Sequence, residues 1–273
     1  MTQSLFSTLN LKPELLENLE SLGYLSMTPV QEQSLPLILD GKDVIGQAKT
    51  GSGKTAAFGL GLLNKLNVKR FRIQTLILCP TRELADQVAK EIRRLARSIH
   101  NIKVLSLCGG KPFGPQVGSL EHGAHIIVGT PGRIEEHVRK GTLKLEEVNT
   151  YILDEADRML EMGFQDSLER IEEDLPKNRQ TLLFSATFPT KIKTISQNIM
   201  IDPVSVKVIA KLEPSTIEQL FYKVSGNDER MHMLQLVLME HRPESVVVFC
   251  TTKKEAQEIS DELQREGFSS MAI

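Results

Sequence analysis

The chain alternates short apolar runs with longer stretches in which apolar residues recur at helical spacing. The short runs predict β-strands, and they cover residues 44–45, 75–79, 103–107, 125–128, 151–153, 181–184 and 204–208. Between two of these runs, Leu84, Val88, Ile92 and Leu95 fall on one face of a helix predicted over residues 82–97. Repeated strand and helix of this kind predicts an α/β fold with a mostly parallel sheet covered by helices. In such folds, ligands bind at the carboxyl ends of the strands.

The two ends of the chain depart from this alternation. Before the first strand, Pro13 begins a predicted helix and Gly23 ends it. Near Ile209 the pattern breaks, and we expect a first domain over residues 1–209, a linker over 210–217 and a second domain over 218–273. In that second domain, apolar runs at 220–224 and 246–249 alternate with helical stretches at 231–239 and 252–265. Since so few strands cannot bury both faces of a parallel sheet, we expect the second domain to be incomplete.

A glycine-rich segment follows the first strand and leads into a helical run. It comprises Ala48, Lys49, Thr50, Gly51, Ser52, Gly53, Lys54 and Thr55. A small residue, four positions and then Gly-Lys-Thr form the phosphate-binding loop pattern, and a strand before and a helix after are its required context. The glycines let backbone N–H groups approach a phosphate, and the helix N-terminus adds its positive dipole end. The pattern predicts that Lys54 contacts the outer phosphates and that the Thr55 hydroxyl holds Mg²⁺.

Acidic residues come directly after the strand predicted at 151–153. The segment reads Asp154-Glu155-Ala156-Asp157. A carboxylate at the end of an apolar strand can complete the magnesium shell of a phosphate loop, and this role falls to Asp154. The adjacent Glu155 can orient or deprotonate the attacking water. The alternative is that the segment is only a solvated acidic turn. The segment lies about one hundred residues after a phosphate loop, and this position disfavours the alternative.

Four further polar segments occupy equivalent positions after other strands. They are Pro80-Thr81-Arg82, Cys108-Gly109-Gly110, Thr130-Pro131-Gly132-Arg133 and Ser185-Ala186-Thr187. Most of them combine a hydroxyl or an arginine with glycine or a helix start, which are groups that contact phosphates. Each can also be turn chemistry with a helix cap. Their recurrence along one edge of a sheet favours a binding function.

Tyr24 and Gln31 flank a Thr-Pro turn shortly before the phosphate loop. A glutamine amide offers one acceptor and two donors, so Gln31 can pair with the N6 and N7 edge of adenine. Because surface glutamine is common, this residue alone does not separate adenine recognition from an ordinary surface position.

Composition limits the modes of nucleic-acid binding, the cellular location and the metal sites that the chain can have. The chain has 273 residues, of which 40% are hydrophobic and 25% charged, with a net charge of −2, so any nucleic-acid binding must use a local patch. No apolar run approaches the ~20 residues of a membrane span and the start lacks a secretory signal, which predicts a cytoplasmic protein. Cys79, Cys108 and Cys250 are far apart and indicate reduced core thiols, and the histidines form no ligand-spaced cluster.

The motifs, taken in this order, resemble those of the DEAD-box RNA helicase family, whose namesake motif matches residues 154–157. The resemblance covers the whole chain, and the stretch from Phe6 to Pro115 is most similar to the bacterial DbpA branch of that family. It implies a RecA-like ATP-binding domain followed by an incomplete second RecA-like domain. It also implies ATP-dependent RNA unwinding with ATP and Mg²⁺, structured ribosomal RNA as the partner, and a monomeric chain.

The resemblance also implies roles for individual residues. Tyr24 and Gln31 would recognise adenine, with Phe6 as the isolated upstream aromatic of the same motif. Ser185 and Thr187 would link Asp157 to interdomain movement. The residues expected to follow the RNA backbone are Pro80, Thr81, Arg82, Gly109, Gly110, Thr130, Pro131, Gly132 and Arg133 in the first domain and Thr251 in the second.

Two functions stay open at this point. One is an RNA-stimulated ATPase that remodels RNA duplexes. The other is a nucleotide- and RNA-binding module with little turnover, because the later family motifs that supply arginines to the γ-phosphate are not in the sequence. Phosphate release by this chain, compared with a chain extended through a complete second domain, separates the two.

Overall fold

The computed structural model describes residues 4–208 and 218–273 of the chain. The contacts divide the chain into two units, Met1–Lys211 and Leu212–Ile273. The linker expected over 210–217 lies outside the described residues, as does Ile209, where the sequence pattern breaks. The domain bounds given above therefore stay predictions.

The elements follow one another in regular alternation through the first unit. The strands are β1 (Val44–Gln47), β2 (Thr75–Leu78), β3 (Val104–Leu107), β4 (Ile126–Gly129), β5 (Thr150–Asp154), β6 (Gln180–Ser185) and β7 (Val204–Lys207). A 3-10 turn (Phe6–Thr8) precedes the helices α1 (Pro13–Ser21), α2 (Pro29–Leu39), α3 (Lys54–Lys65), α4 (Arg82–Leu95), α5 (Phe113–Glu121), α6 (Pro131–Arg139), α7 (Ala156–Glu161), α8 (Gln165–Glu173) and α9 (Thr190–Ile199). The second unit contains α10 (Asn227–His241) and α11 (Lys253–Arg265).

The seven strands form one parallel sheet in the order β3-β4-β2-β5-β6-β1-β7. Successive side chains of a strand point to opposite faces, and this alternation fills two separate cores. In β2, Ile77 lies in one hydrophobic cluster, while Leu76 and Leu78 lie in the other. The prediction of an α/β fold with a parallel sheet is therefore confirmed. The observed strands differ from the predicted ones by at most two residues at either end.

Two of the three cysteines are buried, as the sequence predicts. Cys79 and Cys108 are inaccessible to solvent, and burial raises the pKa of both thiols. Cys250, in the second unit, is partly exposed. Within the described residues, no helix is both long enough and apolar enough to cross a membrane.

The second unit differs from the expected strand and helix alternation. Its described residues include no strand, and the apolar runs at 220–224 and 246–249 have no regular structure. Phe221 and Phe249 are 90% and 93% exposed. A strand requires a hydrogen-bonded neighbour, and neither run has one in this part of the chain.

The last helix of the second unit begins and ends where the sequence predicts. The Thr252 hydroxyl caps α11 by accepting a hydrogen bond of 3.1 Å from the Glu255 N–H. The Glu255 carboxylate accepts from the Thr251 N–H at 2.9 Å, one residue earlier than in a regular capping box. Gly267 follows the helix with a positive φ of 86°.

A polar cluster lies beneath the start of β5, in the first unit. The Tyr151 hydroxyl, Glu172 Oε1 and Arg179 Nε are buried without a hydrogen-bond partner in the described part of the chain. The Arg179 guanidinium lies 5.4 Å from the centre of the Tyr151 ring. Burial raises the pKa of Glu172 from its ordinary 4.5 to about 7, against the lowering effect of Arg179.

Replacing Glu172 by Gln should remove a pH-dependent loss of stability. The folded protein holds the Glu172 proton more tightly than the unfolded chain, so the free energy of unfolding falls as pH rises from 4.5 to about 7. After allowance for solvent screening, we expect Glu172→Gln to be more stable than the original chain by about 1 kcal/mol above this window. Urea unfolding at several pH values measures the difference, with the exposed neighbour Glu173→Gln as control. An equal pH dependence in the original and Glu172→Gln chains would contradict the assignment.

Candidate nucleotide site and nucleic-acid interface

The carboxyl ends of the parallel strands lie at one edge of the sheet, and the predicted site residues follow them in two groups. The neighbouring strands β5, β6 and β1 lead into the acidic segment, Ser185 and the phosphate loop. The neighbouring strands β3, β4 and β2 lead into the three segments expected to contact RNA. The groups meet where β2 pairs with β5, with Leu78 opposite Leu153. Each group therefore occupies a continuous part of the edge.

The phosphate loop, residues 48–53, connects β1 to α3. Gly51 and Gly53 have positive φ angles of 78° and 93°, a conformation that residues with a side chain rarely adopt. Because α3 begins at Lys54, the N–H groups of its first turn have no helical partner and can bind an anion. The buried Lys54 ammonium donates a 2.7 Å hydrogen bond to the Ala48 carbonyl, which places its charge across the loop. Of the other predicted loop residues, Lys49 and Thr50 are exposed, and Ser52 and Thr55 are half-buried.

Gln31 is buried against the phosphate loop. Its Oε1 accepts a hydrogen bond of 2.9 Å from the Thr28 N–H, and its Nε2 donates one of 3.1 Å to the Gly53 carbonyl. A Cβ atom at Gly53 would lie 2.5 Å from this Nε2, so the close approach requires glycine. An amide has a second proton on nitrogen and a second lone pair on oxygen. Gln31 thus supports the loop, and its contact with adenine stays a prediction.

Tyr24 is held by contacts with α4. Its hydroxyl donates a 2.7 Å hydrogen bond to Glu91 Oε1, and the Arg94 guanidinium lies 5.5 Å from the ring centre. Burial raises the pKa of Tyr24, and the Glu91 carboxylate raises it further. Phe6 meets the ring edge-on, with 6.4 Å between ring centres, and is itself only 3% exposed. Any part that Phe6 has in adenine recognition would therefore act through the position of Tyr24.

Asp154 ends β5 and is buried beside the phosphate loop. Its Oδ1 has no hydrogen-bond partner among the described residues. Burial raises the pKa of Asp154 to about 6, and the nearby Glu155 charge adds to this, while the Lys54 ammonium lowers it. An unpartnered carboxylate oxygen at this place suits a hard cation that prefers oxygen ligands, so Asp154 fits the predicted Mg²⁺.

Protein side chains alone would not complete a magnesium shell at this site. Within the described residues, no group of three His, Cys, Asp or Glu side chains is placed to hold a metal ion. Mg²⁺ keeps several waters and uses substrate phosphates when it binds to nucleotide sites. Asp154 and Thr55 would therefore hold the ion together with water and phosphate oxygens.

Glu155 has an unusual backbone conformation. Its φ of 54° and ψ of 51° fall in the left-handed region, which costs a non-glycine residue about 1–3 kcal/mol and is often found at functional sites. Its Oε1 accepts a 3.2 Å hydrogen bond from the Thr50 hydroxyl, and its Oε2 lies 3.7 Å from the Arg158 guanidinium. The conformation thus brings the carboxylate to the phosphate loop, and the role of Glu155 as a base stays a prediction.

Asp157 connects the acidic segment to the segment after β6. Its Oδ2 accepts hydrogen bonds from the Thr187 hydroxyl at 2.7 Å and from the Thr187 N–H at 2.9 Å. Its N–H donates to the Ser185 hydroxyl at 3.3 Å. Burial raises the pKa of Asp157, but these hydrogen bonds outweigh burial and hold it below the ordinary value. Asp157, Ser185 and Thr187 are brought together as the resemblance implies, and their link to movement stays a prediction.

Two helices, α4 and α6, begin at the part of the edge formed by β3, β4 and β2. The Thr81 hydroxyl caps α4 by accepting a 3.2 Å hydrogen bond from the Leu84 N–H, and Thr130 precedes α6, whose first residue is Pro131. Their first turns offer unpaired N–H groups and the positive end of a helix dipole. Backbone hydrogen bonds beyond the strand ends, from Cys79 to Gly129 and from Thr130 to Leu107, hold the segments side by side. Gly132 lies in the first turn of α6, Pro80 precedes Thr81, and Gly109 and Gly110 form the turn after β3.

The two arginines of this part differ in how far they are free to bind a ligand. Arg82 is half exposed, and its one ion pair with a described residue is a distant contact of 3.9 Å with Glu83. The Arg133 side chain is only 12% exposed, pairs with Glu136 at 3.1 Å, and donates to the Lys111 carbonyl at 3.0 Å. Arg133 is thus largely engaged within the protein.

The structure adds Lys111 to this group, a residue that the sequence reasoning does not single out. It follows Gly110 directly, and a basic residue after a glycine pair at a strand end is the signal that could have found it. Thr251 lies in the second unit, and its predicted RNA contact stays a prediction.

Comparison with known proteins agrees with this site. The DEAD/DEAH box helicase family matches residues 28–195. The ATP-dependent RNA helicase DbpA of Escherichia coli is 54% identical over 269 residues, which cover 98% of this chain and 59% of that protein. The DEAD-box ATP-dependent RNA helicase CshA of Streptococcus pneumoniae is 45% identical over 269 residues, which cover 98% of this chain and 51% of that protein.

Solved structures show the same architecture. A DEAD box protein from the hyperthermophile Methanococcus jannaschii has a TM-score of 0.72 and 39% identity, with 98% of this chain and 72% of that chain covered. Dbp5 of S. cerevisiae, bound to RNA and ADP BeF3, has a TM-score of 0.83 and 29% identity, with 97% and 68% covered.

This chain belongs to the DEAD/DEAH box helicase family. The two curated relatives are each named ATP-dependent RNA helicases. The chain spans 59% and 51% of the lengths of the two curated relatives named above.

Proposed function

We propose that this chain carries the nucleotide site of an ATP-dependent RNA helicase, which couples RNA-stimulated ATP hydrolysis to local unwinding of RNA duplexes. The observation that carries the proposal is the contact between the phosphate loop and the acidic segment, in which Thr50 meets Glu155 beside a buried Asp154. This arrangement places a base, a metal ligand and the Lys54 charge around one loop.

Different residues of the site bind the phosphates, hold the cation and accept the proton during hydrolysis. The Lys54 ammonium and the N–H groups of the loop hold the outer phosphates, and the Thr55 hydroxyl and Asp154 hold the cation. Mg²⁺, when bound, neutralises charge that develops on the transferred phosphate. Glu155 accepts a proton from the attacking water, and the Thr50 hydrogen bond keeps its carboxylate turned toward the loop.

The proposed partner is RNA, held mainly through its backbone at the ends of β3, β4 and β2. Helix starts, hydroxyls and arginines contact phosphates without reading bases. The E. coli relative is named an ATP-dependent RNA helicase, and the S. cerevisiae structure contains RNA, which supports this choice. The proposal includes structured ribosomal RNA as substrate, a monomeric chain and a cytoplasmic location, which follow from the resemblance to the DbpA branch.

A binding module with little turnover is the second candidate. It is favoured by the second unit, whose described residues form two helices and no strand. Phosphate release should be measured with no RNA, with a mixed-sequence RNA and with ribosomal RNA hairpins, in this chain and in one extended through a complete second domain. RNA-stimulated release by this chain supports the ATPase. Stimulation in the extended chain alone supports the binding module.

Adenine selectivity is a separate expectation of the proposed site. A bidentate amide contact from Gln31 discriminates adenine by about 1–3 kcal/mol, so ADP should bind roughly 5–150-fold more tightly than GDP. Stacking on Tyr24 should strengthen the binding of both nucleotides, because every base has a π-face. Tyr24→Ala should weaken the binding of ADP and GDP alike and leave the affinity for inorganic pyrophosphate unchanged. Calorimetry with the three ligands measures both effects, and equal affinities for ADP and GDP in the original chain would contradict the assignment.

A further inference from the structure

The turn that follows β3 is held between the other two segments of the proposed RNA edge. The Arg82 guanidinium lies against Gly110 so closely that a Cβ atom there would be 2.0 Å from Nη1. On the other side, Arg133 Nη1 donates a 3.0 Å hydrogen bond to the Lys111 carbonyl. The backbone of Lys111 is therefore fixed beside the first turns of α4 and α6.

The Lys111 side chain carries an exposed charge at this position. Its ammonium lies 3.1 Å from Asp86 Oδ2 on α4, and the two side chains are 54% and 49% exposed. Exposed ion pairs of this kind contribute little to stability, so the pair can be exchanged for another partner at low cost. Arg133, in contrast, is 12% exposed and engaged by Glu136. Among the described residues of the three segments, Arg82 and Lys111 are thus the exposed cations, and Lys111 is the one paired with an exchangeable carboxylate.

We propose that Lys111 is a phosphate-binding residue for single-stranded RNA, and that Asp86 is a built-in competitor that occupies Lys111 until RNA displaces it. The inference rests on the proposed function of the edge formed by β3, β4 and β2. A phosphodiester carries the same unit charge as the Asp86 carboxylate and can take its place in contact with the ammonium. The acidic side chain also repels the RNA backbone, so it lowers RNA affinity in two ways.

The proposal predicts opposite effects for the two partners of the pair. Lys111→Gln should weaken RNA binding several-fold at low salt. It should also reduce the slope of log K against log salt by about 0.7, the value for one phosphate contact on a single strand. Asp86→Asn should strengthen binding several-fold at low salt. In the double variant, the gain from Asp86→Asn should be smaller than in the single variant, because without Lys111 only the relief of repulsion is left.

The test is a fluorescence anisotropy titration of a labelled, mixed-sequence single-stranded RNA with the full chain, at several salt concentrations, with ATP analogue and Mg²⁺ present. Glu147→Gln is the matched control, since Glu147 forms an exposed pair of 2.8 Å with Arg70 just before β5, at the other end of the strands. Its affinity and slope should equal those of the original chain.

The outcomes separate this proposal from the proposed function. If the original chain binds the RNA in a salt-dependent way but Lys111→Gln has an unchanged slope, the role of Lys111 is wrong and RNA binding stands. If Asp86→Asn strengthens binding equally with and without Lys111, Asp86 acts through its general field and the competitor role is wrong. If the original chain does not bind RNA, both proposals fail.

Discussion

Glu155→Gln should lower RNA-stimulated phosphate release by about 10²–10⁴-fold and leave ATP and Mg²⁺ binding nearly unchanged. The amide has the shape of the carboxylate and keeps an oxygen that can accept the hydrogen bond from Thr50, which is 3.2 Å long in the structure. It cannot accept a proton from water. The left-handed backbone at Glu155 is retained, since glutamine and glutamate have the same requirements there.

Single-turnover phosphate release at saturating RNA measures the chemical step, and calorimetry measures the binding of ATP with Mg²⁺. Glu161→Gln is the matched control, because Glu161 is an exposed glutamate at the end of the same helix, α7. Release at the original rate by Glu155→Gln would show that another group serves as the base.

Lys54→Ala should instead weaken nucleotide binding, by about 10–100-fold, because a hydrogen bond to a charged group is worth about 1.5–3 kcal/mol. Lys54 is buried and spans the loop through its 2.7 Å hydrogen bond to the Ala48 carbonyl. Lys54→Gln separates the loss of charge from the loss of this bond, since a glutamine amide can donate a hydrogen bond but has no charge. If Lys54→Ala and Lys54→Gln lose similar amounts of nucleotide affinity, the loss is due to the missing charge.

The measurement for Lys54 is the affinity for ADP and for ATP, with the melting temperature of the nucleotide-free chain as a check on folding. The exposed Lys42, which precedes β1, provides the control Lys42→Ala. ATP affinity equal to that of the original chain in Lys54→Ala, or an equal loss of affinity in Lys54→Ala and Glu155→Gln, would remove the distinction between a binding residue and a base.

Much of the first unit could be predicted from the sequence because burial in a parallel sheet leaves a local signature. The runs at 75–79 and 151–153 are apolar except at Thr75, as is typical of strands covered on both faces, and they correspond to β2 and β5. The phosphate loop was predictable for a different reason, since its glycines and lysine stand at fixed spacing. The run at 246–249 has the same local signature, and the run at 220–224 has it except at Lys223, but neither forms a strand, because pairing depends on a neighbour that the run itself does not encode.

The candidate site was predictable in its residues and less so in their contacts. Nothing local in the sequence indicates that Gln31 bonds to the Gly53 carbonyl, that Arg133 is engaged by Glu136 and Lys111, or that Tyr24 is held by Glu91. These contacts join residues that are distant in sequence or depend on a particular side-chain direction. Residue type therefore identified the possible ligands, and only tertiary packing determined which groups remain free to bind.

The pairing of β1 has a consequence for the newly synthesised chain. This strand leads into the phosphate loop, yet its partners in the sheet are β6 and β7, with Val44 opposite Leu182 and Val204. At a synthesis rate of about 5–20 residues per second, residues 44–47 wait roughly 7–30 s for the residues of β6 to be made. During this interval β1 has neither of its two neighbours in the sheet, so no backbone pairing holds the strand that leads into the phosphate loop.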